Sequence, residues 1–268
     1  MNVTISTSDF SQIAYSKNGT GKVLFLLHGF PESASLWGGI IPALAKHFTV
    51  IAMDTPGSGD SHLPSTPVSI PQLAIAIKTI LDHEGITEAV IAGHSMGGYI
   101  ALAFAEKYPS YVKGLSLVHS TATADDDERK QKRLRAIEII KKGGKDAFMR
   151  EVIPSYFSSH FKATEGAIVS HQVQRGIQLS DESMIAYYEA MMHRSDTRTV
   201  IKGLNCPFQM IIGKEETIAP MPLLLEQGAM AAISFVSIYA DCLHMSMLEQ
   251  PDLLTNDLIN FTLYCYQS

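Results

Sequence analysis

The stretch Ala92-Gly93-His94-Ser95-Met96-Gly97-Gly98 decides how the rest of the chain is interpreted. It follows a short apolar run, Ala89-Val90-Ile91, and precedes a helix-like run that starts at Tyr99. A tight Gly-x-Ser-x-Gly turn between a strand and a helix strains the serine backbone and raises the serine oxygen above the sheet. The two glycines let the strand and the helix approach each other closely. The stretch therefore predicts Ser95 as a nucleophile, and the alternative is an ordinary glycine-rich turn.

The composition is that of a globular protein with a large core. The chain has 268 residues, 46% hydrophobic and 18% charged, which is enough for one α/β domain or a domain with an insertion. A net charge of -6 argues against nucleic acid as a partner, because no basic surplus is present to neutralise phosphates. The sequence contains no run of 18 apolar residues, so it predicts no membrane span. The first residues also lack the pattern of a signal peptide.

The cysteines indicate the compartment. The chain has three of them, odd in number and widely spaced, at Cys206, Cys242 and Cys265. They suit a reducing compartment and show no metal-ligand spacing. We therefore expect a cytoplasmic protein that uses neither a metal nor another cofactor.

Apolar runs and helix-like runs alternate in two parts of the chain. The strand-like runs are 3–5, 12–15, 23–27, 48–53, 89–91, 112–118, 208–212 and 233–239. Helical spacing of apolar residues covers 35–45, 70–83, 99–105, 223–230 and 252–264. This alternation predicts an α/β fold with a mostly parallel sheet of about eight strands, flanked by helices.

The alternation breaks at Thr121 and resumes after about Thr199. The sequence between them is mostly helix-like and holds no clear buried strand. We therefore predict a core of residues 1–120 and 200–268 with a helical insertion at 121–199. In the insertion, acids followed by bases over 125–133 favour the helix dipole and i,i+4 pairing, which predicts a solvated helix start instead of a binding patch.

A serine nucleophile needs a base late in the chain, on a loop after a strand. Of the ten histidines, His244 has that place, because it follows the last strand-like run. The alternative is a histidine that serves packing alone. His94 is adjacent to Ser95, and we expect its side chain to point elsewhere.

The base needs a carboxylate to orient it, between the serine and the histidine in sequence. The loop 213–220 follows a strand-like run and contains Glu215 and Glu216. Either could be the acid, and either could be a surface charge, the usual fate of a glutamate. The order serine, acid, histidine is that of the hydrolases with a nucleophile turn.

Two main-chain N–H groups are needed to hold a developing oxyanion. Met96 follows the nucleophile at a helix start, and Phe30 lies in the loop after the 23–27 run. The alternative for the second loop is a plain turn that ends a strand. The loop 54–61 lacks the spacing of a phosphate-binding loop and is expected to be a rigid loop near the mouth of the site.

A substrate pocket is expected above Ser95. The insertion has five apolar or aromatic residues at helical spacing, namely Met184, Tyr187, Tyr188, Met191 and Met192. This spacing indicates that the helix packs on the domain, and the alternative is that these residues form an apolar wall over the acyl group. We interpret His28 as a structural residue of the oxyanion loop that also borders the pocket. The candidate pocket residues are His28, Phe148, Tyr156, Phe157, Tyr187, Tyr188 and Met191.

Together these motifs resemble the α/β-hydrolase fold family. His28-Gly29-Phe30 is similar to its oxyanion loop, and the insertion is similar to its cap domain. An acid three positions after Gly213, with Pro220 beyond, is similar to its acid loop, which favours Glu216 over Glu215. His244 followed by Glu249 and Pro251 resembles its histidine loop. One departure is that this branch usually carries aspartate where Glu216 stands.

The run 28–33 also resembles the epoxide hydrolases and haloalkane dehalogenases of this fold, whose nucleophile is an aspartate. Because Ser95 stands in that place, the chain is more similar to serine esterases, enol-lactonases and C–C bond hydrolases. The resemblance implies cleavage of a small ester, thioester or lactone through an acyl-enzyme on Ser95.

Two other functions remain open. One is a C–C bond hydrolase or lyase on a dicarbonyl substrate, which an arginine of the insertion near Ser95 (Arg175, Arg194 or Arg198) would favour. The other is a ligand sensor of the same fold without turnover, since a fold does not determine a function.

Overall fold

The apolar runs of the sequence form one sheet in the computed structural model, which describes residues 2–65 and 67–267. Within these residues the sheet has eight strands in the order β1-β2-β4-β3-β5-β6-β7-β8. The strands are β1 Asn2–Ile5, β2 Ile13–Asn18, β3 Val23–Leu27, β4 Thr49–Met53, β5 Ala89–His94, β6 Val112–Val118, β7 Phe208–Gly213 and β8 Ser234–Tyr239. This confirms the predicted α/β class and the number of strands.

The sheet is mostly parallel. β1 and β2 pair antiparallel, as do β2 and β4, and every pairing from β4 to β8 is parallel. All residues of β3, β4, β5 and β7 are buried, because helices cover both faces of a parallel sheet. Burial alternates along β8, which lies at the edge. Since β5 to β8 are parallel neighbours, the loops that follow them meet at one edge of the sheet.

The helices flank the sheet and fill the segment between β6 and β7. They are α1 Ile41–Leu44, α2 Ile70–His83, α3 Met96–Lys107, α4 Asp127–Lys141, α5 Lys145–Val152, α6 Ser159–Thr164, α7 Gly166–Gln178, α8 Asp181–Met192, α9 Arg198–Lys202, α10 Met221–Gly228, α11 Ser246–Glu249 and α12 Pro251–Gln267. Ten of the twelve residues of α3 are buried, so this helix lies inside the domain. None of the described helices has the length and apolarity needed to cross a membrane.

The helix predicted over 35–45 is wrong as a single element. The chain instead forms a 3-10 helix, Ala34–Trp37, followed by the short helix α1. Two consecutive glycines, Gly38 and Gly39, separate them, and Pro42 lies in the first turn of α1. Glycine favours a helix break, and proline is tolerated only at a helix start.

Residues 121–199, called the inserted segment below, contain α4 to α8 and the first residues of α9. Every residue of this segment is described, and none is in a strand. Helices α4 and α8 pack on each other. The hydroxyl of Tyr187 on α8 donates to the carbonyls of Thr55 (3.0 Å) and Pro56 (2.9 Å), which ties the segment to the loop after β4.

Candidate active site

Ser95 lies in a sharp turn between β5 and α3, with φ 51° and ψ −117°. A positive φ at a non-glycine residue costs about 1–3 kcal/mol and persists only where the surroundings impose it. Here the N–H of Ser95 donates to the carbonyl of Val118 at 3.0 Å, and its carbonyl accepts from Oγ of Ser120 at 2.8 Å. The neighbouring strand β6 therefore holds the turn in its strained conformation.

The turn requires glycines because neighbouring main-chain segments lie too close to leave room for a Cβ. A Cβ on Gly93 would overlap the carbonyl of Gly97, and a Cβ on Gly97 would overlap the carbonyls of Leu27 and His28. These contacts bring the end of β5, the start of α3 and the end of β3 together, as the turn pattern predicts. Ser95 is thereby placed beside the loop that follows β3.

The loops after β7 and β8 bring Glu216 and His244 together. Nδ1 of His244 lies 3.0 Å from both Oε1 and Oε2 of Glu216, whose side chain is 1% exposed. Glu215 is exposed, and its main-chain N–H donates to the carbonyl of Cys242 at 3.2 Å. Of the two glutamates left open by the local sequence, the structure places Glu216 against His244.

The Glu216 carboxylate accepts hydrogen bonds from several directions. Besides His244, Nδ1 of His119 lies 3.0 Å from Oε2, and the N–H groups of Thr217 and Ile218 donate to Oε1 at 2.9 and 3.0 Å. Burial alone would raise the pKa of Glu216, but the His244 and His119 rings outweigh it and hold the pKa well below its usual range. An ionised carboxylate only accepts hydrogen bonds, so Nδ1 of His244 carries a proton and is the donor to Glu216.

Two further buried histidines belong to this cluster, and the sequence analysis did not assign them a role. His119 follows β6 at φ 48°, and its side chain is fully buried. Nε2 of His94 lies 2.9 Å from the carbonyl of His244, so its side chain points toward the histidine loop, whereas the sequence predicted only that it points elsewhere than the serine turn. Burial lowers the pKa of both rings, which keeps them neutral. The signal for His119 was its position directly after a central parallel strand.

The histidine loop is held by a second glutamate. Oε1 of Glu249 accepts from the N–H groups of Leu243 and Met245, both at 3.1 Å, and its Oε2 accepts from the N–H of Ser158 at 2.9 Å. The N–H of His244 donates to the carbonyl of Tyr156 at 3.1 Å. The position of His244 is therefore coupled to the inserted segment through Ser158 and Tyr156.

The loop after β3 lies directly against the serine turn. A Cβ on Gly29 would stand 2.9 Å from Cβ of Ser95 and 2.8 Å from Nδ1 of His94. The N–H of Phe30 is not a donor in any main-chain hydrogen bond of the described loops. Met96 is the first residue of α3, so its N–H has no acceptor within the helix. Neither of the two N–H groups predicted for an oxyanion site therefore donates to a main-chain acceptor of the described chain.

A cavity of about 170 Å³ opens beside these groups. Of the predicted site residues, it is lined by Phe30, Ser95, Tyr156, Tyr188, Met191, Glu216 and His244. The rest of the lining was not predicted from the sequence and consists of Tyr99, Arg129, Arg133, Thr217 and Ile218.

Four predicted pocket residues do not line this cavity. The ring of His28 is fully buried, with Nε2 accepting from the N–H of Thr55 (3.0 Å) and Nδ1 donating to the carbonyl of Gly29 (2.8 Å). Tyr187 is directed to the loop after β4, as described above. Phe157 is fully buried and stacked on Phe161, while Phe148 packs against the core. Helical spacing alone could not separate the residues that face the core from those that face the cavity.

The charged helix start over 125–133 is solvated at residues 126–128 and 131–132, and Lys132 pairs with Glu128, as predicted. Asp125, Arg129 and Arg133 instead turn inward. The Asp125 side chain is 0% exposed and forms ion pairs with Arg133 and Arg194. Arg129 and Arg133 project to the cavity from α4. These residues turn inward because α4 packs on α8 through the apolar residues of its second half (Ala136, Ile137 and Ile140), which the all-polar run 127–133 does not reveal.

The arginines named for the C–C alternative lie elsewhere. Arg175 borders a separate cavity of about 400 Å³ that also contains Glu32, and its Nη2 donates to Oγ of Ser33 at 2.9 Å. Arg194 is held by Asp125, and Arg198 is paired with Asp196. None of these three lines the Ser95 cavity, all of whose lining residues are described.

Among the described residues, one cluster of side chains consists of residue types that bind metal ions. His119, Glu216 and His244 each offer one ligand atom, and these atoms lie within 4.8 Å of one another. Both histidines direct Nδ1 as an N–H donor at the carboxylate, so a metal would have to displace these protons. The arrangement suits a hydrogen-bonded carboxylate better than a metal site, and the absence of a metal stays a prediction.

Comparisons with known proteins agree with this architecture. A family model of the alpha/beta hydrolase fold matches residues 22–142. A thermophilic esterase from Thermogutta terrifontis, solved with malate bound, is 26% identical and superposes with a TM-score of 0.92 over 99% of each chain. A putative carbamate hydrolase of Azorhizobium caulinodans is 26% identical over 229 residues, which are 81% of this chain and 83% of the relative.

Shorter matches have higher identity. A soluble epoxide hydrolase of Corynebacterium sp. is 42% identical over 91 residues, which are 34% of this chain and 32% of that protein. The chain spans about a third of the length of the first curated relatives it matches. With the sheet order and the serine turn described above, these similarities show the α/β-hydrolase fold and support membership of the α/β-hydrolase superfamily.

Proposed function

We propose that the protein is a serine hydrolase that cleaves a small carboxylic ester, thioester or lactone through an acyl-enzyme on Ser95. The observation that carries this proposal is the contact between His244 and Glu216, with Nδ1 of the ring 3.0 Å from both carboxylate oxygens, in the cavity that Ser95 also lines. The esterase, carbamate hydrolase and epoxide hydrolase among its relatives support a hydrolytic reaction of this fold.

The reaction follows from the protonation states of the site. Nε2 of His244 removes the proton of the Ser95 hydroxyl as its oxygen attacks the carbonyl carbon. The N–H groups of Phe30 and Met96 hold the resulting oxyanion. His244 then protonates the leaving alcohol or thiol, and a water activated by the same ring hydrolyses the acyl-enzyme. Glu216 stays ionised throughout and stabilises the imidazolium.

We further propose that the inserted segment acts as a cap. It supplies Tyr156, Tyr188 and Met191 to the cavity wall, together with Arg129 and Arg133. A volume of about 170 Å³ is close to that of an engineered cavity of about 150 Å³ that binds benzene, so the proposed substrate is small.

The proposed location is the cytoplasm. Within the described chain, Cys206, Cys242 and Cys265 are not joined in disulfides, which suits a reducing compartment. Burial raises the pKa of Cys206 to about 11, so this thiol stays protonated at neutral pH and does not compete with Ser95 as a nucleophile.

The test is the substitution Ser95→Ala with a 4-nitrophenyl short-chain ester. We expect kcat/KM to fall by roughly 10³- to 10⁶-fold, as for other serine triads. A fluorophosphonate probe should label the wild-type protein at Ser95. The matched control is Ser110→Ala on the exposed surface, which should change neither readout. Full activity of Ser95→Ala would contradict the proposal, and a wild-type protein without labelling or turnover would favour the ligand sensor.

A further inference from the structure

Two arginines of α4, Arg129 and Arg133, line the same cavity as Ser95 and His244. We propose that they form an anion-binding subsite, so that the substrate is an ester, thioester or lactone carrying a carboxylate besides the bond that is cleaved. This inference rests on the proposed function of Ser95. It further specifies that the substrate carries a negative charge and that Arg129 and Arg133 select this charge.

Asp125 carries a single negative charge between two arginines. Nε and Nη2 of Arg133 bond to its carboxylate, and Nη1 of Arg194 donates to it at 2.7 Å. The three side chains are 15%, 5% and 0% exposed for Arg133, Arg194 and Asp125. One carboxylate thus faces two guanidinium groups, which leaves a surplus positive charge in a largely buried cluster. Such a charge is costly without a counterion, and an anion in the cavity would supply one.

One donor group of Arg133, Nη1, meets only a weak acceptor. Its Nη1 lies 3.3 Å from Sδ of Met191, which is a weak acceptor, and Met191 lines the cavity. By contrast, Arg194 also donates to the carbonyls of Met191 and Thr123, both at 2.8 Å, so its donors are engaged. Arg194 therefore holds Asp125 in place, while Arg133 has a donor available to a ligand.

Arg129 brings a second positive charge to the cavity wall. Its Nη2 donates to the main-chain carbonyls of Thr217 and Ile218 beside Glu216. Among residues 2–65 and 67–267, no carboxylate forms an ion pair with it. Its charge is therefore not neutralised, and its half-buried position next to the acid loop places that charge at the cavity wall.

The anion that shares the cavity with these arginines, Glu216, has its own hydrogen-bond donors. The Glu216 carboxylate is engaged by the two histidines and two main-chain N–H groups. Burial raises the pKa of Tyr156 to about 12 and also raises that of Tyr188, so both phenols stay neutral. Guanidinium groups bind carboxylates with paired, charge-assisted hydrogen bonds, which makes a carboxylate the ligand that this wall suits best.

The experiment compares two esters that differ in one charge, 4-nitrophenyl hydrogen glutarate and 4-nitrophenyl pentanoate. The readout is the ratio of their kcat/KM values. We expect the wild-type protein to prefer the glutarate, and Arg133→Met and Arg129→Met each to lower the ratio by about 10- to 100-fold. Arg133→Lys keeps the charge and should retain part of the preference. The matched control is Arg135→Met, an exposed arginine of the same helix, which should leave the ratio unchanged.

A second pair of esters, 4-carboxyphenyl butanoate and phenyl butanoate, places the carboxylate on the leaving group instead of the acyl group. A preference in either pair that both arginine variants abolish supports the subsite and identifies the part of the substrate that it binds. Equal kcat/KM for charged and neutral esters in both pairs, or a preference that survives in Arg129→Met and Arg133→Met, would overturn it. These results differ from a failure of the proposed function, in which no ester is hydrolysed and Ser95 is not labelled.

Discussion

The Nδ1 atom of His119 lies 3.0 Å from Oε2 of Glu216, on the carboxylate that also binds Nδ1 of His244. One acid thus receives two imidazole N–H groups and two main-chain N–H groups. Because all four donors act on a buried carboxylate, its rotation is restricted even though a glutamate has a longer side chain than an aspartate. We infer that His119 positions the acid, which in turn positions His244.

Removal of the His119 donor should therefore lower activity without touching the substrate. We expect His119→Leu to reduce kcat/KM on a short-chain ester by about tenfold or more, since hydrogen bonds to charged groups contribute about 1.5–3 kcal/mol. His119→Asn places an amide where Nδ1 stands and tolerates the positive φ, so it should retain most of the activity. Equal losses in the two variants would contradict a positioning role.

The identity of the acid can be tested with two glutamine variants. Glu216→Gln should lower kcat by about 10⁴-fold, because an amide can no longer select the tautomer of His244 that serves as the base. Glu215→Gln is the matched control on the same loop, with an exposed side chain, and should leave kcat unchanged. The assignment is wrong if the Glu215 variant is the one that loses activity.

Stability should fall as the pH is lowered below about 6.5. His28, His94 and His119 are fully buried, and burial lowers the pKa of each ring. Below the ordinary histidine pKa the unfolded chain binds protons that the folded chain does not, so the free energy of unfolding decreases by up to about 1.4 kcal/mol per pH unit for each ring. The contribution is fully present above pH 6.5 and is lost as the pH falls toward the lowered values.

Urea denaturation between pH 7.5 and 5.5 measures this slope. His94→Gln removes one titrating ring while its amide can still donate to the His244 carbonyl, so the slope should decrease. His83→Gln, at the exposed end of α2, should leave the slope as in the wild type. A wild-type stability that does not depend on pH in this range would show that the buried rings are not neutral. Glu216 adds a further loss only below its ordinary pKa of 4.5.

The serine turn should not tolerate a side chain at Gly97. A Cβ there would overlap main-chain oxygens that cannot move without distorting β3, so we expect Gly97→Ala to destabilise the fold by about 3 kcal/mol or more. Gly166→Ala is the control, because a Cβ at this helical glycine meets open space and should be neutral or stabilising. The comparison is made by thermal unfolding, and equal Tm values for the two variants would contradict the packing argument.

Much of the fold could be predicted from the sequence because its signals are local. Continuous apolar runs such as Val23–Leu27 and the nucleophile turn at Ser95 determine strands and connections over a few residues. The order of serine, glutamate and histidine after successive strands also follows from chain order, once a parallel sheet places the ends of those strands at one edge. The fold class was therefore predicted correctly, the predicted superfamily is supported, and the catalytic roles remain to be tested.

The tertiary structure alone decided what surrounds Ser95. His119 and Glu216 are separated by about a hundred residues, and only the pairing of β6 with β7 brings them together. Arg129 and Arg133 reach the cavity because α4 packs on α8, a contact that the polar run 127–133 does not predict. A local pattern determines which element forms, whereas the direction of a side chain in a cap depends on long-range packing that no local pattern encodes.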